Sequence, residues 1–184
     1  AIGALTTKAI EGYAAQEQLV GGVETLFKTS SDTVVGYAND AYKTAGMSAN
    51  EYMETVTSFS ASLLASMNND TAAAAEKANV AITDMSDNAN KMGTDISLIQ
   101  NAYNGFAKQN YTMLDNLKLG YGGTKEEMQR LLDDASKLSG IKYDISSYSD
   151  VVDAIHVVQT EMGITGTTAK EASTTIEGSV SSMS

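Results

Sequence analysis

Residues 75–92, AEKANVAITDMSDNANKM, decide the fold class of this chain. Apolar side chains recur in this stretch at alternating intervals of three and four residues, which places them on one face of an α-helix. The members of this face are Ala75, Ala78, Ile82, Met85, Ala89 and Met92. Because polar side chains fill the other faces, the stretch predicts an amphipathic helix that runs without a break to Met92.

The same spacing recurs in three other stretches, so the sequence predicts a mainly α-helical protein. Their apolar faces consist of Tyr52, Val56, Phe59, Leu63 and Met67; of Ile96, Ile99, Tyr103 and Phe106; and of Val151, Ile155, Val158 and Met162. Weaker helical patterns cover residues 19–27, 34–45, 128–138 and 169–183. Proline, which costs about 3 kcal/mol inside a helix, is absent from the sequence and interrupts none of these segments.

Local chemistry predicts where the helices begin and end. Three pairs fit the capping box, in which a Ser or Thr and a Glu bond each other's backbone N–H groups: Ser48 with Glu51, Thr124 with Glu127, and Thr168 with Glu171. Three lysines near a predicted helix end precede a glycine that can close the helix: Lys43 before Gly46, Lys91 before Gly93, and Lys137 before Gly140. Because the connections are short, neighbouring helices are predicted to pack as antiparallel hairpins in a bundle.

One region departs from the helical pattern. Residues 117–121 and 141–145 alternate apolar and polar side chains with a period of two, which is typical of short strands. A two-stranded element flanking the helix at 124–138 is one interpretation, and an ordered loop on each side is the other, because isolated strand pairs are marginally stable. We therefore expect a helical hairpin region at 1–110 and, at 111–184, an irregular segment followed by C-terminal helices, joined in one compact unit.

The charge of the chain argues against a nucleic-acid partner. It has 12 basic and 23 acidic residues, for a net charge of −11, and Arg130 is its only arginine. The basic residues do not form the patch that phosphate binding requires. No apolar run approaches the roughly 20 residues of a membrane span, and no signal-peptide pattern is present. The sequence begins without methionine and ends in a helical pattern, so we expect a fragment of a longer chain.

No residue set predicts catalysis, a cofactor or a metal ion. His156 is the only histidine and has no partners at catalytic or metal-binding spacing, which favours a structural or surface role. Residues 84–95 match the spacing of a calcium loop, but Ala89 stands where that loop needs glycine. Without cysteine there is also no disulfide, thiolate ligand or cysteine nucleophile.

The glycines within residues 120–123 precede Thr124 and Lys125 and resemble a phosphate loop that opens a helix. Their order differs from the P-loop, in which the lysine comes before the Ser or Thr. Glu126 and Glu127 also occupy the positive end of the predicted helix, where they would repel phosphate. A turn before a capped helix is therefore the better interpretation.

The irregular segment contains the candidate partner-binding residues. They are Tyr111, Met113, Leu114, Leu117, Leu119 and Tyr121, which form the most apolar stretch outside the helical patterns. Irregular segments often carry interaction functions, so contact with a partner protein is one interpretation. Packing of the segment on its own domain is the other.

Four long strings carry a family resemblance. They are AYKTAGMSANEYMETVTSFSASLL at 41–64, AITDMSDNANKMGTDISLIQ at 81–100, YNGFAKQNYTMLDNLKLGYGGTKEEMQRLL at 103–132 and IHVVQTEMGITGTTAKEASTTIEGS at 155–179. These strings resemble segments of the tail tape measure proteins of long-tailed bacteriophages and of prophages in Gram-positive bacteria. The resemblance covers most of the chain and keeps its order.

The resemblance implies a structural tail assembly protein and not an enzyme: the tail tube polymerises around such a chain, whose length sets tail length. The implied partners are the tail tube protein, tail assembly chaperones and distal tail or tail-tip proteins, with self-association also open. The implied location is the lumen of the virion tail, and the host cytoplasm during assembly. The alternative functions are a protein-binding module that docks on tail-tip proteins or a chaperone and, third, a domain associated with cell-wall hydrolysis. The family offers no catalytic residue or cofactor to carry over to this segment.

Overall fold

The computed structural model describes residues 2–174 of the 184-residue chain, with side chains from residue 14 onward, and contains helices but no strand within that range. The helices are α1 (Ile2–Phe27), α2 (Ser31–Thr44), α3 (Ala49–Ser66), α4 (Thr71–Met92), α5 (Ile96–Ala107), α6 (Lys125–Ser139) and α7 (Tyr148–Glu161). Short 3₁₀ turns occupy Lys28–Ser30 and Leu114–Leu117, and residues 167–174 are helical again. The predicted mainly α-helical fold is confirmed. The remainder of the helix predicted at 169–183 lies outside the described residues.

Helix α4 forms where the alternating pattern predicted it. Asp70 caps the first turn by accepting a backbone N–H bond of 3.1 Å, and the helix continues to Met92 without a break. Gly93 then ends the helix in the left-handed conformation, with a φ of 70°. Gly46 and Gly140 follow α2 and α6 with φ values of 63° and 75°, so all three predicted glycine stops are confirmed.

The predicted capping boxes have different outcomes. At α3 the box is complete, because Ser48 and Glu51 each accept a hydrogen bond from the other's backbone N–H. At α6 half of the box forms: the Thr124 hydroxyl accepts from the Glu127 N–H at 3.2 Å. The Glu127 carboxylate bonds elsewhere, to groups described below, because a stronger charged donor lies within its reach.

The box predicted at Thr168 is wrong. Residues 167–174 are already helical and the Lys170 N–H donates to the Gly166 carbonyl, so the helix begins before Thr168. The Thr168 N–H donates instead to Asp87 of α4, at 2.9 Å. A cap supplied by a distant helix leaves no trace in the local sequence.

The strand pair considered at 117–121 and 141–145 does not form, and the alternative of ordered loops is confirmed. The 3₁₀ turn ends at Lys118, whose φ of 54° is left-handed and breaks any extended run. Leu117 and Leu119 are buried on either side of it. The alternation of apolar and polar residues at 117–121 therefore reflects the burial of alternate side chains in an irregular segment, and no strand is present there.

One hydrophobic core joins the two regions of the chain. Its buried members extend from Val23 in α1 to Ile164 beyond α7, so the regions expected at 1–110 and 111–184 share it. The largest fully buried side chains are Tyr52, Tyr103, Phe27, Phe59 and Phe106. Alanine supplies 11 of the 41 buried apolar residues that the structure describes, five of them in α4, where each side chain removes little apolar area from water. Among the described helices, none is long and apolar enough to cross a membrane.

Candidate functional site

Helix α4 buries four polar side chains within two turns. Asp84, Ser86, Asp87 and Asn88 are each at most 2% exposed. A buried polar group without a partner costs about 1–3 kcal/mol; among the described residues the Ser86 hydroxyl and the Asn88 Oδ1 have no partner, whereas both aspartates and the Asn88 Nδ2 have partners. Helix α7 supplies several of them. We call the following set the polar seam: Asp84, Asp87 and Asn88 of α4, with His156 and Gln159 of α7.

The histidine of the chain is paired with a buried carboxylate. His156 Nδ1 lies 3.0 Å from each carboxylate oxygen of Asp84, so the Nδ1–H donates to both. The Asp84 side chain is 1% exposed, whereas that of His156 is 39% exposed. Lys77, two turns before Asp84 on α4, forms an ion pair with Asp153, one turn before His156 on α7. Both pairs tie the same two helices together.

The pKa values of His156 and Asp84 are both shifted by their contact and their surroundings. The hydrogen bond to Asp84 raises the pKa of His156, and the negative charges of Asp84 and Asp153 act in the same direction. Burial raises the pKa of Asp84, although His156 opposes this shift. Both shifts favour the protonated form of the folded protein.

Asn88 connects three parts of the fold. Its Nδ2 donates to the Gln159 side-chain oxygen at 2.8 Å and to the Leu117 carbonyl at 3.0 Å. Gln159 Nε2 in turn donates to the backbone carbonyl of Asp84 at 3.2 Å. Asn88 and Gln159 are fully buried, so these bonds are shielded from water. They fix α7 and the irregular segment to the same point of α4.

Asp87 caps the helix at 167–174 from a distance. Its Oδ2 accepts from the Gly166 N–H at 2.8 Å and its Oδ1 accepts from the Thr168 N–H at 2.9 Å. Asn90, one turn further along α4, donates to the Thr168 hydroxyl at 2.7 Å. Since the first N–H groups of a helix have no partner within the helix, the carboxylate satisfies two of them and complements the helix dipole.

We expect the seam to make folding stability fall as pH rises above neutrality. A group whose pKa is raised in the folded state contributes stability below its unfolded pKa, about 6.5 for histidine, and this contribution is lost as pH passes the folded pKa. The raised pKa of Asp84 acts with the same sign, but its contribution begins to be lost at the unfolded pKa of aspartate, about 3.9, so the decline above neutrality is assigned to His156. Denaturant unfolding from pH 6 to 9 should show a decline that is shallower in His156→Gln. Equal slopes in the two proteins would contradict the assignment.

A polar cleft of about 790 Å³ lies beside the seam, between α3, α5 and the helix at 167–174. Its described lining contains the carboxylates of Glu51, Glu54 and Glu171 and no lysine or arginine. Asparagine and glutamine side chains of α4 and α5 cover much of the remaining wall. The cleft therefore has the wrong charge for phosphate and other anions.

The candidate partner residues of the irregular segment are mostly inside the fold. Five are buried and Met113 is half-buried; the five are Tyr111, Leu114, Leu117, Leu119 and Tyr121. The Tyr111 ring stacks on Phe106 with centroids 6.1 Å apart. The segment thus packs on its own domain, and contact between these side chains and a partner would require it to leave the core.

The sole arginine fastens this segment to α6. Arg130 Nε donates to Glu127 at 2.7 Å, its Nη2 donates to the Gly120 carbonyl at 2.8 Å, and the guanidinium lies over the Tyr121 ring at 4.3 Å. Glu127 also accepts from the Gly122 N–H at 3.0 Å, and these bonds lower its pKa to about 2. The glycines at 120–123 are therefore held against α6 as a structural turn. The Glu127 carboxylate accepts the backbone N–H bond that a phosphate would need.

Sequence reasoning did not find the polar seam. The helical pattern places Asp84, Asp87 and Asn88 on the polar faces of α4, and Asp84 and Asn88 also fall on the spacing of the calcium loop that Ala89 argues against. The available signal was their spacing of three and four residues beside an apolar face made largely of alanine, which widens the buried stripe. Among the side chains described, those of residues 14–174, no three carboxylates or histidines are grouped to hold a metal ion.

Fold and site together define a helical bundle organised around a buried polar seam, with an acidic cleft at its edge. Comparison with protein-family models, with curated protein sequences and with solved structures finds no match to this chain.

Proposed function

We propose that this chain is a segment of a structural phage tail assembly protein of the tape measure type. The support is the resemblance of four strings that together cover most of the sequence. The helical fold is compatible with it, because a tape measure is a long and mostly helical chain. In this role the protein would occupy the lumen of the tail tube and set tail length, without catalytic activity of its own.

One observation carries the proposal furthest: α4, at the centre of the polar seam, packs largely through alanine side chains. Alanine contributes little hydrophobic stabilisation, at about 25 cal/mol per Å² of buried apolar surface. Hydrogen bonds exchanged with water contribute only about 1 kcal/mol each. Separation of α4 from its neighbours therefore costs little for each contact that is lost. We propose that the segment is compact when isolated and extended in the tube.

The proposed partners are the tail tube protein, assembly chaperones and distal tail proteins, first in the host cytoplasm and then in the virion tail. A net charge of −11 gives the chain no attraction for the DNA that would follow it through the tube.

A protein-binding module is the second candidate. Leu138 and Ile141, at the end of α6, are 49% and 58% exposed, and exposed apolar side chains that lie close together can mark contact surfaces. Retention of purified tail-tip proteins or a tail chaperone by the immobilised chain, lost in a Leu138→Ser and Ile141→Ser variant, would favour it. For cell-wall hydrolysis, the third candidate, a zymogram with the purified chain should stay unlysed.

The test of the main proposal is to change the length of the parent gene and measure tails by electron microscopy. In-frame duplications and deletions of helical segments should lengthen and shorten the tails in proportion to the residues changed. Tails of constant length across such a series would overturn the proposal.

A further inference from the structure

The joint between α7 and the helix at 167–174 has the features of a hinge. Gly163 and Gly166 have φ values of 72° and 91°, which other residues rarely adopt. Of the residues between the two helices, Ile164 is buried and its neighbours are exposed. Backbone rotation at two glycines can therefore redirect the chain with few packing contacts to break.

Polar contacts with α4 hold the helix beyond this joint. We call residues 167–174 the lid. Thr168 is its one buried residue, and the others are half-buried or exposed. Asp87 accepts hydrogen bonds from the Gly166 and Thr168 N–H groups, and Asn90 bonds the Thr168 hydroxyl. Since residues 167–174 cover little apolar surface, these bonds weigh heavily in the attachment of the lid.

The lid also forms one wall of the acidic cleft. Thr168, Glu171 and Ala172 line the cleft opposite residues of α3 and α5. The methyl group of Thr168 lies 3.5 Å from the position that a side chain at Gly46 would take, which places the lid directly against the end of α2. Movement of the lid would thus open the cleft.

We propose that the lid is a releasable element and that Asp87 is its latch. Loss of the two bonds made by Asp87 lets the lid swing out around the joint at Gly163 and Gly166, while the bundle formed by α1 to α7 stays folded. The proposal concerns this joint alone and is independent of the phage assignment, so either can fail without the other.

Asp87→Asn is the sharpest perturbation of the latch. The side chain keeps its size, but one carboxylate oxygen becomes an amide NH₂, which would face a backbone N–H donor. The matched control is Asp84→Asn, which alters a carboxylate of equal burial on the same helix that contacts His156 and not the lid. Comparison of the two separates release of the lid from general damage to α4.

The experiment measures where the lid lies in the full 184-residue chain. Because the sequence has no cysteine, spin labels can be attached at Asp40→Cys on α2 and Ser173→Cys on the lid, both exposed sites. Pulsed electron paramagnetic resonance should give one narrow distance in the parent protein and in Asp84→Asn. In Asp87→Asn it should give a broad distribution at longer distances. Amide exchange at Lys170 should accelerate at least tenfold in Asp87→Asn, while α4 and α7 keep their protection.

Two results would overturn the latch. One is an unchanged label distance in a folded Asp87→Asn protein; the other is equal opening in Asp84→Asn, which would make the lid respond to the seam as a whole. If Asp87→Asn does not fold, Asp87→Ser decides, because the shorter uncharged side chain cannot accept from both the Gly166 and the Thr168 N–H groups. Partial opening in that variant supports the proposal, and an unchanged distance contradicts it.

Discussion

Asn88→Ala is expected to lower the free energy of unfolding by roughly 2–5 kcal/mol, because two buried acceptors lose their donor at once. Those acceptors are the Leu117 carbonyl and the Gln159 side-chain oxygen. Neither can recover its bond from water, since Asn88 and Gln159 are fully buried. The loss should loosen both α7 and the irregular segment.

Urea denaturation followed by circular dichroism measures this effect. The control is Asn101→Ala, the same substitution at an exposed helical site, which should change stability by no more than about 0.5 kcal/mol. A double-mutant cycle with Gln159→Ala adds a second criterion: the double variant should cost less than the sum of the single variants, because the two side chains share one bond. Additive costs, or a loss no larger than in the control, would show that the seam does not act as a network.

Gly123→Ala is expected to cost roughly 3 kcal/mol through a steric clash with backbone. A Cβ at this position would stand 2.3 Å from the Thr112 carbonyl oxygen, and no flexible side chain can move aside. The φ of Gly123 is not positive, so the penalty is one of space and not of backbone conformation. The irregular segment must shift away from the first turn of α6, which also disturbs the contacts of Arg130.

The neighbouring glycine provides the matched control. A Cβ at Gly122 would meet only the Glu127 side chain, at an ordinary 3.5 Å, so Gly122→Ala should change stability by less than about 1 kcal/mol. Thermal and urea unfolding of both variants measure the difference. Near-equal stability of the two proteins would mean that the segment adapts freely and is not held as described.

The helices could be predicted because their signals are local. In α4 the alternating apolar positions, the aspartate before the first turn and the glycine after the last lie within one stretch of sequence. The 3.6-residue period survives even where the apolar residue is alanine. Capping at Ser48 was predictable for the same reason, since both partners belong to one turn.

The site could not be predicted because its partners are far apart in sequence. Asp87 and Gly166 are 79 residues apart, and Asn88 and Gln159 are 71 apart. A polar residue on a helix is assigned to solvent unless the opposing helix is known. The strand pattern of the irregular segment has a related cause. Alternate side chains point into the core, as they do in a strand, but the left-handed conformation of Lys118 turns the backbone away from an extended path.

The polar seam and the proposed function are linked by one physical property. Along α4, alanine contacts and bonds that water can replace lose little when the helices separate in an aqueous lumen. We propose that this property lets one sequence fold alone and still be drawn out within a tube.

The most direct test of this account is the change in tail length when the codons for residues 2–174 are removed in frame from the parent gene. If the segment is extended as helix in the tube, tails imaged by electron microscopy should shorten by roughly 260 Å, at about 1.5 Å per residue. A segment that stays compact in the tail spans only about 40 Å, as expected from its length. Shortening near 260 Å supports the tape measure role in extended form, whereas tails of unchanged length would contradict the central claim.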